Sequence, residues 1–400
     1  MSDAPWLTII GLGEDGPDGL CAASLAALNT AEIVMGPARH VALLPPLEAD
    51  VRIWPVPFAD GLRDLMALRG RPVVALASGD PFWFGAGAVL ARGLEPGEWR
   101  AFPGRSTFSL VAARMGWGLE ATRCFGLHAA PLSRLRPALA PRQRMIVLVR
   151  DGAAVPQLAG YLRETGFGAT GMTVFEAVGG PRETRKELRA DAPPGATAFT
   201  HPVCVALEVA GDGAVLPCAT GRDDAWFAHD GQITKRLVRA ATLSTLAPRP
   251  FEHLWDIGGG SGSIGIEWLL SDPTVEATAI EADATRAARI AENAARLGVD
   301  RLAVVTGAAP DALAGVQRPD VVFVGGGLDA ALLGWLEARL APGTRLVANA
   351  VTLETVSLLV ASHARLGGQL TRLAVSEAAP IGPKRGWKAG FPIVQWSTVL

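Results

Sequence analysis

Short apolar runs bounded by glycine or proline recur along the chain, and the stretches between them carry apolar residues at helical spacing. In the first half, residues 6–10, 73–77, 145–149, 172–176 and 203–209 are rich in Val and Ile and predict strands, while residues 24–31 and 106–115 predict helices. Residues 210–224 then lose all periodicity and become rich in Gly, Asp and Pro, which predicts a linker over 211–225 between a domain at 1–210 and one at 226–400. A second series follows. Residues 254–257, 277–280, 303–306, 321–324 and 345–350 read as strands, with helices at 234–246, 262–270, 283–297 and 329–340. This alternation predicts an α/β fold whose parallel sheet is covered on both faces. The tail breaks the pattern: residues 370–376 and 391–397 read as two strands joined by a loop, an antiparallel edge. The halves differ in strand pattern and carry no internal repeat, so the chain reads as a fusion of two unlike α/β domains.

Composition narrows the function. The 400 residues are 49% apolar and 19% charged, which supplies ample material for buried sheets and excludes a disordered chain. A net charge of −2 argues against a protein that chiefly grips nucleic acid or anionic lipid. A mean hydropathy of +0.26 raises the question of a membrane span. The most apolar window, 72–91, is interrupted by Gly79-Asp80-Pro81, which is wrong for the ~20 apolar residues a spanning helix needs. The N-terminus shows neither a basic nor an apolar leader segment. Cys21, Cys124, Cys204 and Cys218 are scattered, with no pairing motif and no histidine at metal-ligand spacing, so a cytoplasmic protein with reduced thiols and no metal is expected. None of the six histidines clusters with another.

Both halves contain a glycine-rich turn after a strand: Gly11-Leu12-Gly13-Glu14-Asp15-Gly16 and Gly260-Ser261-Gly262-Ser263-Ile264-Gly265. The pattern alone is weak, because any tight strand-to-helix turn favours glycine. In the second half it is reinforced. Asp256-Ile257-Gly258 precedes the turn, and Glu281 ends the next strand, where a carboxylate can accept both hydroxyls of a ribose. Asp256 before the glycines disfavours a pyrophosphate and suits the cationic amino-acid part of S-adenosylmethionine. In the first half the dinucleotide reading fails, because Glu32 precedes its apolar run instead of ending it. There Ser78-Gly79-Asp80-Pro81, at the end of the strand 73–77, places a rigid loop and a carboxylate at a sheet rim. Asp80 can equally cap its own loop.

Gly11-Leu12-Gly13, Ser78-Gly79-Asp80-Pro81 with Phe84-Gly85, Pro103-Gly104-Arg105-Ser106-Thr107, and Phe175-Glu176 leading to Pro181-Arg182-Glu183 together resemble the tetrapyrrole (uroporphyrinogen-III/corrin) methylase family. Where many of its members read Gly-x-Gly-Pro-Gly, Gly13 is here followed by Glu14-Asp15-Gly16. The second half is similar to the small class I methyltransferases of cobalamin biosynthesis, through Gln232-Ile233-Thr234-Lys235, Asp256 to Gly262, Gly307-Ala308-Ala309-Pro310, Val324 to Gly327 and Ala348-Asn349-Ala350-Val351-Thr352. Fusion in this order resembles the precorrin-6Y C-5,C-15-methyltransferase (decarboxylating) family.

That resemblance implies a two-lobed α/β domain followed by a Rossmann-like class I domain, each holding one S-adenosylmethionine. It implies C-5 methylation in the first domain, and C-15 methylation with loss of CO₂ from the ring C acetate in the second, giving precorrin-8 from a precorrin-6 intermediate. Carried over by position, Gly11, Gly13, Gly79, Asp80, Phe84, Ser106 and Thr107 are expected at the first cofactor site. Thr234, Asp256, Gly258, Gly260, Gly262, Glu281 and Ala308 are expected at the second, with Ala308 beside the adenine. The anionic tetrapyrrole calls for basic partners. Of the 37 basic residues all but Lys186, Lys235, Lys384 and Lys388 are arginine, whose planar fork suits carboxylates. Arg105 and a loop carrying Lys384, Arg385 and Lys388 are the candidates, each with a solvated surface charge as the plain alternative. The sequence identifies no acid–base group for the decarboxylation. Self-association into a homo-oligomer is expected from the family likeness.

Three rival functions fit the sequence less well. A nucleic-acid base methyltransferase needs an Asn/Asp-Pro-Pro-aromatic step where Val324-Gly325-Gly326-Gly327-Leu328-Asp329 stands, and the acidic pI near 6.3 argues the same way. A non-catalytic sensor of S-adenosylmethionine or tetrapyrrole is disfavoured by two intact turns. An NAD-dependent oxidoreductase is disfavoured by Asp256 and Glu32.

Overall fold

The computed structural model describes residues 5–192 and 198–400; the first four residues, on which the reading of the leader partly rests, lie outside them. The chain forms two compact units. One comprises Met1–Leu132 and Ala138–Ala214, the other Val215–Leu400 together with Ser133–Pro137.

The first unit holds two five-stranded sheets. The N-terminal one contains β1 (Leu7–Leu12), β2 (Ile33–Gly36), β3 (Asp50–Ile53), β4 (Val73–Ser78) and β5 (Trp99–Phe102), in the order β3-β2-β4-β1-β5 and parallel throughout. Every residue of β1 is buried, as expected for a central parallel strand covered on both faces. The second sheet contains β6 (Thr122–Gly126), β7 (Arg144–Leu148), β8 (Gly171–Glu176), β9 (Thr184–Arg189) and β10 (Val203–Glu208), ordered β6-β7-β10-β8-β9. Only its β6–β7 pair is parallel. The periodicity located β1, β4, β7, β8 and β10 and passed over β3, β5, β6 and β9, which are short or largely exposed.

The second unit is built on one seven-stranded sheet. Its strands are β11 (His253–Ile257), β12 (Glu276–Glu281), β13 (Ala303–Thr306), β14 (Val321–Val324), β15 (Arg345–Ala350), β16 (Gln369–Leu373) and, after the hairpin β17 (Ser376–Ile381) and β18 (Lys384–Ala389), β19 (Ile393–Val399). The order is β13-β12-β11-β14-β15-β19-β16, parallel as far as β15, with β19 antiparallel to both of its neighbours. Connections run outward in one direction from β11 to β13 and then return to β14. The carboxyl ends of β11 and β14 therefore flank a topological switch point, where open α/β sheets bind ligands.

Two expectations need correcting. Residues 211–225 are not a free linker. Gly211 and Gly213 pack against the 165–167 turn of the first unit, whereas Leu216 sits in the core of the second and Arg222 pairs there with the buried Glu267. The composition suggested slack, but these glycines serve close backbone approach. Likewise, the supposed loop joining the last two strands is itself the β17–β18 hairpin, so Lys384, Arg385 and Lys388 lie on a strand.

Candidate active sites

In the first unit the carboxyl ends of β1, β4 and β5 come together on bare backbone. The Gly79 N–H donates to the Leu12 carbonyl at 3.0 Å, and the Gly104 N–H donates to the Gly79 carbonyl at 3.0 Å. A Cβ on Gly11 would stand 1.8 Å from the Gly79 oxygen and 2.4 Å from the Gly104 nitrogen, so only glycine fits. Gly11, Gly13, Gly79 and the loop through Ser106 thus surround one rim. Ser106 caps the helix Thr107–Met115, its Oγ accepting the Ser109 N–H at 3.0 Å. Asp80 takes the loop-capping role, accepting the Phe82 N–H at 2.9 Å. Phe84 adopts a φ of 55° and leans on Phe108, with 5.7 Å between ring centres.

The acids that replace the family's proline are neutralised. Glu14 is buried and accepts from Arg39, and from Arg182 at 3.0 Å, while Asp15 pairs with Arg105. Arg105 is therefore an exposed guanidinium already holding a carboxylate. Arg39 also donates to Ser78 Oγ at 3.0 Å and to His40 Nε2 at 2.8 Å. A guanidinium cannot accept, so Nε2 carries the lone pair and the proton sits on Nδ1, a buried atom without a partner among the described residues. Burial, and secondarily the Arg39 charge, push the His40 imidazolium pKa down to about 3.

The second unit contains a cavity of about 1650 Å³ at the switch point. One end is formed by Gly258 and Gly260 after β11, Glu281 at the end of β12 and Ala308 beyond β13, with Thr234 across from them. Gly258 and Gly260 have φ of 73° and 60°. A Cβ on Gly258 would reach 2.8 Å from the Gly326 oxygen, closing the cradle. Glu281 is 7% exposed and accepts the Gly260 N–H at 2.8 Å and the Asp283 N–H at 3.0 Å, one on each oxygen. Each oxygen keeps a further lone pair for a ligand hydroxyl.

Asp256 does not face this cavity. It is 1% exposed, and its Oδ2 accepts the Gly265 N–H of the helix Ser263–Ser271 at 2.9 Å. Alternation along β11 directs it, with Leu254, to the face that this helix covers. Burial raises its carboxyl pKa to about 7; the Gly265 N–H opposes the rise and the nearby Glu281 charge adds to it. Gly262 is likewise off the cavity wall, packed beneath Ile290. Both residues lie beneath the turn and outside the lining of the cavity.

The other end of the cavity comes from β15 (Asn349), Val351, the hairpin and Phe391. Lys388 lines it opposite Glu377, its register partner, whereas Lys384 and Arg385 lie farther along the hairpin, off the wall. Arg286 lines the mouth and donates to Asp230 at 2.9 Å, which with the Gln232 N–H and Arg289 holds that carboxyl far below its usual range.

Two family profiles divide the chain. That of the Tetrapyrrole (Corrin/Porphyrin) Methylases matches residues 6–193, and that of the Precorrin methyltransferase domain matches residues 225–400. A precorrin-6Y C(5,15)-methyltransferase [decarboxylating] from Sinorhizobium sp is 49% identical over 401 residues, spanning 98% of this chain and 96% of the relative. The chain belongs to this family. A precorrin-6Y C(5,15)-methyltransferase from Mycobacterium tuberculosis (strain ATCC 25618 / H37Rv) is 38% identical over 98% of this chain and 99% of its own length. Among solved structures, the C-terminal domain of precorrin-6Y C5,15-methyltransferase from Rhodobacter capsulatus is 50% identical, covers 46% of this chain and 100% of its own, and superposes with a TM-score of 0.45. Members of the precorrin-6Y methyltransferase family are S-adenosylmethionine-dependent enzymes of cobalamin biosynthesis. No helix among the described residues is long and apolar enough to cross a membrane.

Within this family frame, several residues of the two sites escaped the sequence reading. Gly104 belongs with Gly11 and Gly79, and was signalled only by lying in a glycine motif. Gly326, Arg286 and Asn349 line the second cavity. Asn349 stood inside the quoted Ala348-to-Thr352 segment, with nothing in the linear pattern to single it out.

Proposed function

We propose that the chain binds one S-adenosylmethionine in each unit, methylating C-5 of a precorrin at the first, and methylating C-15 and removing the ring C acetate carboxyl at the second. The observation that carries this reading is the second cavity. At about 1650 Å³ it exceeds the roughly 300–1,000 Å³ of an ordinary single-ligand pocket. It can hold a nucleoside cofactor over Gly258, Gly260 and Glu281 and a larger ligand toward the hairpin. When bound, S-adenosylmethionine supplies an electrophilic methyl group. Glu281 would take the ribose hydroxyls, the Gly258–Gly260 backbone the amino-acid part, and Ala308 the adenine. Lys388 would meet a substrate carboxylate inside the cavity, with Lys384 and Arg385 steering from the hairpin. In the first unit Gly11, Gly13, Gly79, Asp80, Phe84, Ser106 and Thr107 would hold the cofactor, and Arg105 would remain in reach of an acidic side chain. The chain's main contribution to both transfers is then positioning and exclusion of water. Self-association of the chain is part of this proposal.

Calorimetric titration of the intact chain with S-adenosylmethionine tests the stoichiometry, and mass analysis after incubation with the precorrin tests the chemistry. Two sites, two added methyls and one lost CO₂ are expected. A single site, or methylation without loss of CO₂, would sink the two-site reading.

A further inference from the structure

The substrate half of the second cavity has an unusual make-up for a site that must handle a polyanion. Val351, Leu373, Val375, Phe391 and Ile393 give it apolar walls, Lys388 and Glu377 line it from the hairpin, and Asn349 places a neutral amide on the strand β15 side. That amide is anchored by its neighbours. Asn349 and Gln395 are register partners on β15 and β19. Gln395 Nε2 donates to Asn349 Oδ1 at 2.9 Å and to Thr242 Oγ1 at 3.1 Å, while Asn349 Nδ2 donates to Thr242 Oγ1 at 2.9 Å. Thr245 Oγ1 donates to Gln395 Oε1 at 2.7 Å. Turning the Asn349 amide over alone would set its NH₂ against the NH₂ of Gln395, which disfavours that orientation. Thr242 and Gln395 are 0% and 4% exposed, so the anchor is buried while Asn349 itself reaches the cavity. One Nδ2 hydrogen and one Oδ1 lone pair remain for a ligand.

We infer that Asn349 binds the carboxylate that the second unit removes, donating its free Nδ2–H to hold the C–CO₂ bond in line with the π system of the macrocycle. This rests on the decarboxylating function proposed above. In the step, the carbon–carbon bond breaks, its electron pair enters the conjugated imine of the substrate, CO₂ departs and a proton is later taken up at carbon. Negative charge leaves the carboxylate as the bond breaks. A cationic partner would stabilise the starting state and slow the step, whereas a neutral donor fixes direction at little such cost. The apolar walls favour release of uncharged CO₂ over retention of the anion. Thr242 and Gln395 are positioning residues that act through Asn349.

The test is Asn349→Ala and Asn349→Leu in the full chain, with Thr242→Val as a variant that leaves Asn349 in place but removes its anchor. S-Adenosylmethionine affinity within about twofold of the parent shows that the cradle is intact. CO₂ release should fall about 10–100-fold in the Asn349 variants, because the C–CO₂ bond is no longer held in line with the π system, and less in Thr242→Val. CO₂ release at the parental rate in both Asn349 variants overturns the role of Asn349 while the parent's turnover upholds the function. No CO₂ release from the parent enzyme overturns both. If both Asn349 variants fail to fold, an unchanged rate in Thr242→Val counts against the oriented amide.

Discussion

The Asp256 carboxylate lies beneath its glycine turn and accepts the Gly265 N–H at 2.9 Å, away from the cavity that Gly258 and Gly260 line. The residue that separates this turn from a dinucleotide-binding one thus acts by shaping it. Gly262, in the left-handed region at φ 76°, opens the helix Ser263–Ser271 without a side chain to cap it. Asp256 supplies that cap from the strand below, at the end of the helix where the peptide dipoles favour negative charge.

Asp256→Asn should keep the turn, because the amide oxygen can still accept from Gly265, while abolishing a pH dependence. The native carboxyl titrates at about 7 against an ordinary 3.8, so the native state holds the extra proton between these values. The stabilisation linked to that proton is complete below the unfolded value and is lost as pH rises toward 7. Urea denaturation of the ligand-free chain at several pH values should therefore show the variant gaining on the parent from pH 4 to pH 7.5. A difference that stays flat over that range would mean the carboxyl ionises normally.

Glu281→Gln should strip the second unit of its cofactor affinity. Both carboxylate oxygens already accept backbone N–H groups, from Gly260 and Asp283. An amide must turn its NH₂ toward one of them, leaving a donor facing a donor in a nearly buried place, a penalty of about 1–3 kcal/mol. Calorimetry should show the second-unit site weakened roughly 10–100-fold, with the first-unit site unchanged.

Glu267 is the buried hub of the second unit. It accepts from Arg239 Nε at 2.7 Å and from the Gly221 and Arg222 N–H groups at 2.7 and 3.0 Å, and both arginine side chains are almost wholly enclosed. Glu267→Ala would leave the buried Arg222 without a carboxylate and Arg239 with Asp224 alone, at a cost of about 3–5 kcal/mol. Because Arg239 also holds the Thr234 carbonyl at the cavity wall, cofactor binding should weaken with stability. Replacement by Gln, which retains one acceptor, should cost less; equal losses would show that the negative charge, and not the acceptor oxygen, carries the interaction.

Gly11→Ala addresses the first unit. Its Cβ would lie 1.8 Å from the Gly79 carbonyl oxygen, a backbone atom that cannot swing aside as a side chain would. The three converging turns must separate, so the titration should fall from two cofactor sites to one while CO₂ release at the second unit persists. Two unaltered sites in this variant would place the first cofactor away from the Gly11–Gly79–Gly104 rim.

The periodic, buried elements were legible in the sequence, and so was the class of ligand. β1, β4 and β14 announce themselves because strands covered on both faces must be apolar along nearly their whole length. The exposed hairpin β17–β18 offers no such signal: Lys384, Arg385 and Lys388 read as a loop because nothing covers them. Gly211 and Gly213 read as part of a linker although they are crowded by backbone, since composition does not distinguish a free glycine from a crowded one. The position of Asp256 off the cavity wall was legible too. Counting the alternation from Leu254 already turns it away from Trp255 and Ile257, toward the face a helix must cover. The amide network of Asn349, Gln395 and Thr242 was out of reach, because it joins residues distant in sequence across two strands and a helix.

His40 gives the first unit a pH response opposite in sign to that of Asp256. Its pKa is about 3 in the fold against an ordinary 6.5, because burial, and then the Arg39 guanidinium, disfavour the charged ring. The unfolded chain takes up a proton below 6.5 that the native ring refuses until about 3, so stability falls as pH drops through that window. His40→Gln cannot titrate and can still accept from Arg39 through its amide oxygen. Hydrogen exchange followed over β1, β2 and β4 of the intact chain should show the parent losing protection faster than this variant between pH 6.5 and 5. Parallel losses in the two proteins would mean that the ring is protonated within the fold, and the Nδ1–H tautomer imposed by Arg39 would have to be abandoned.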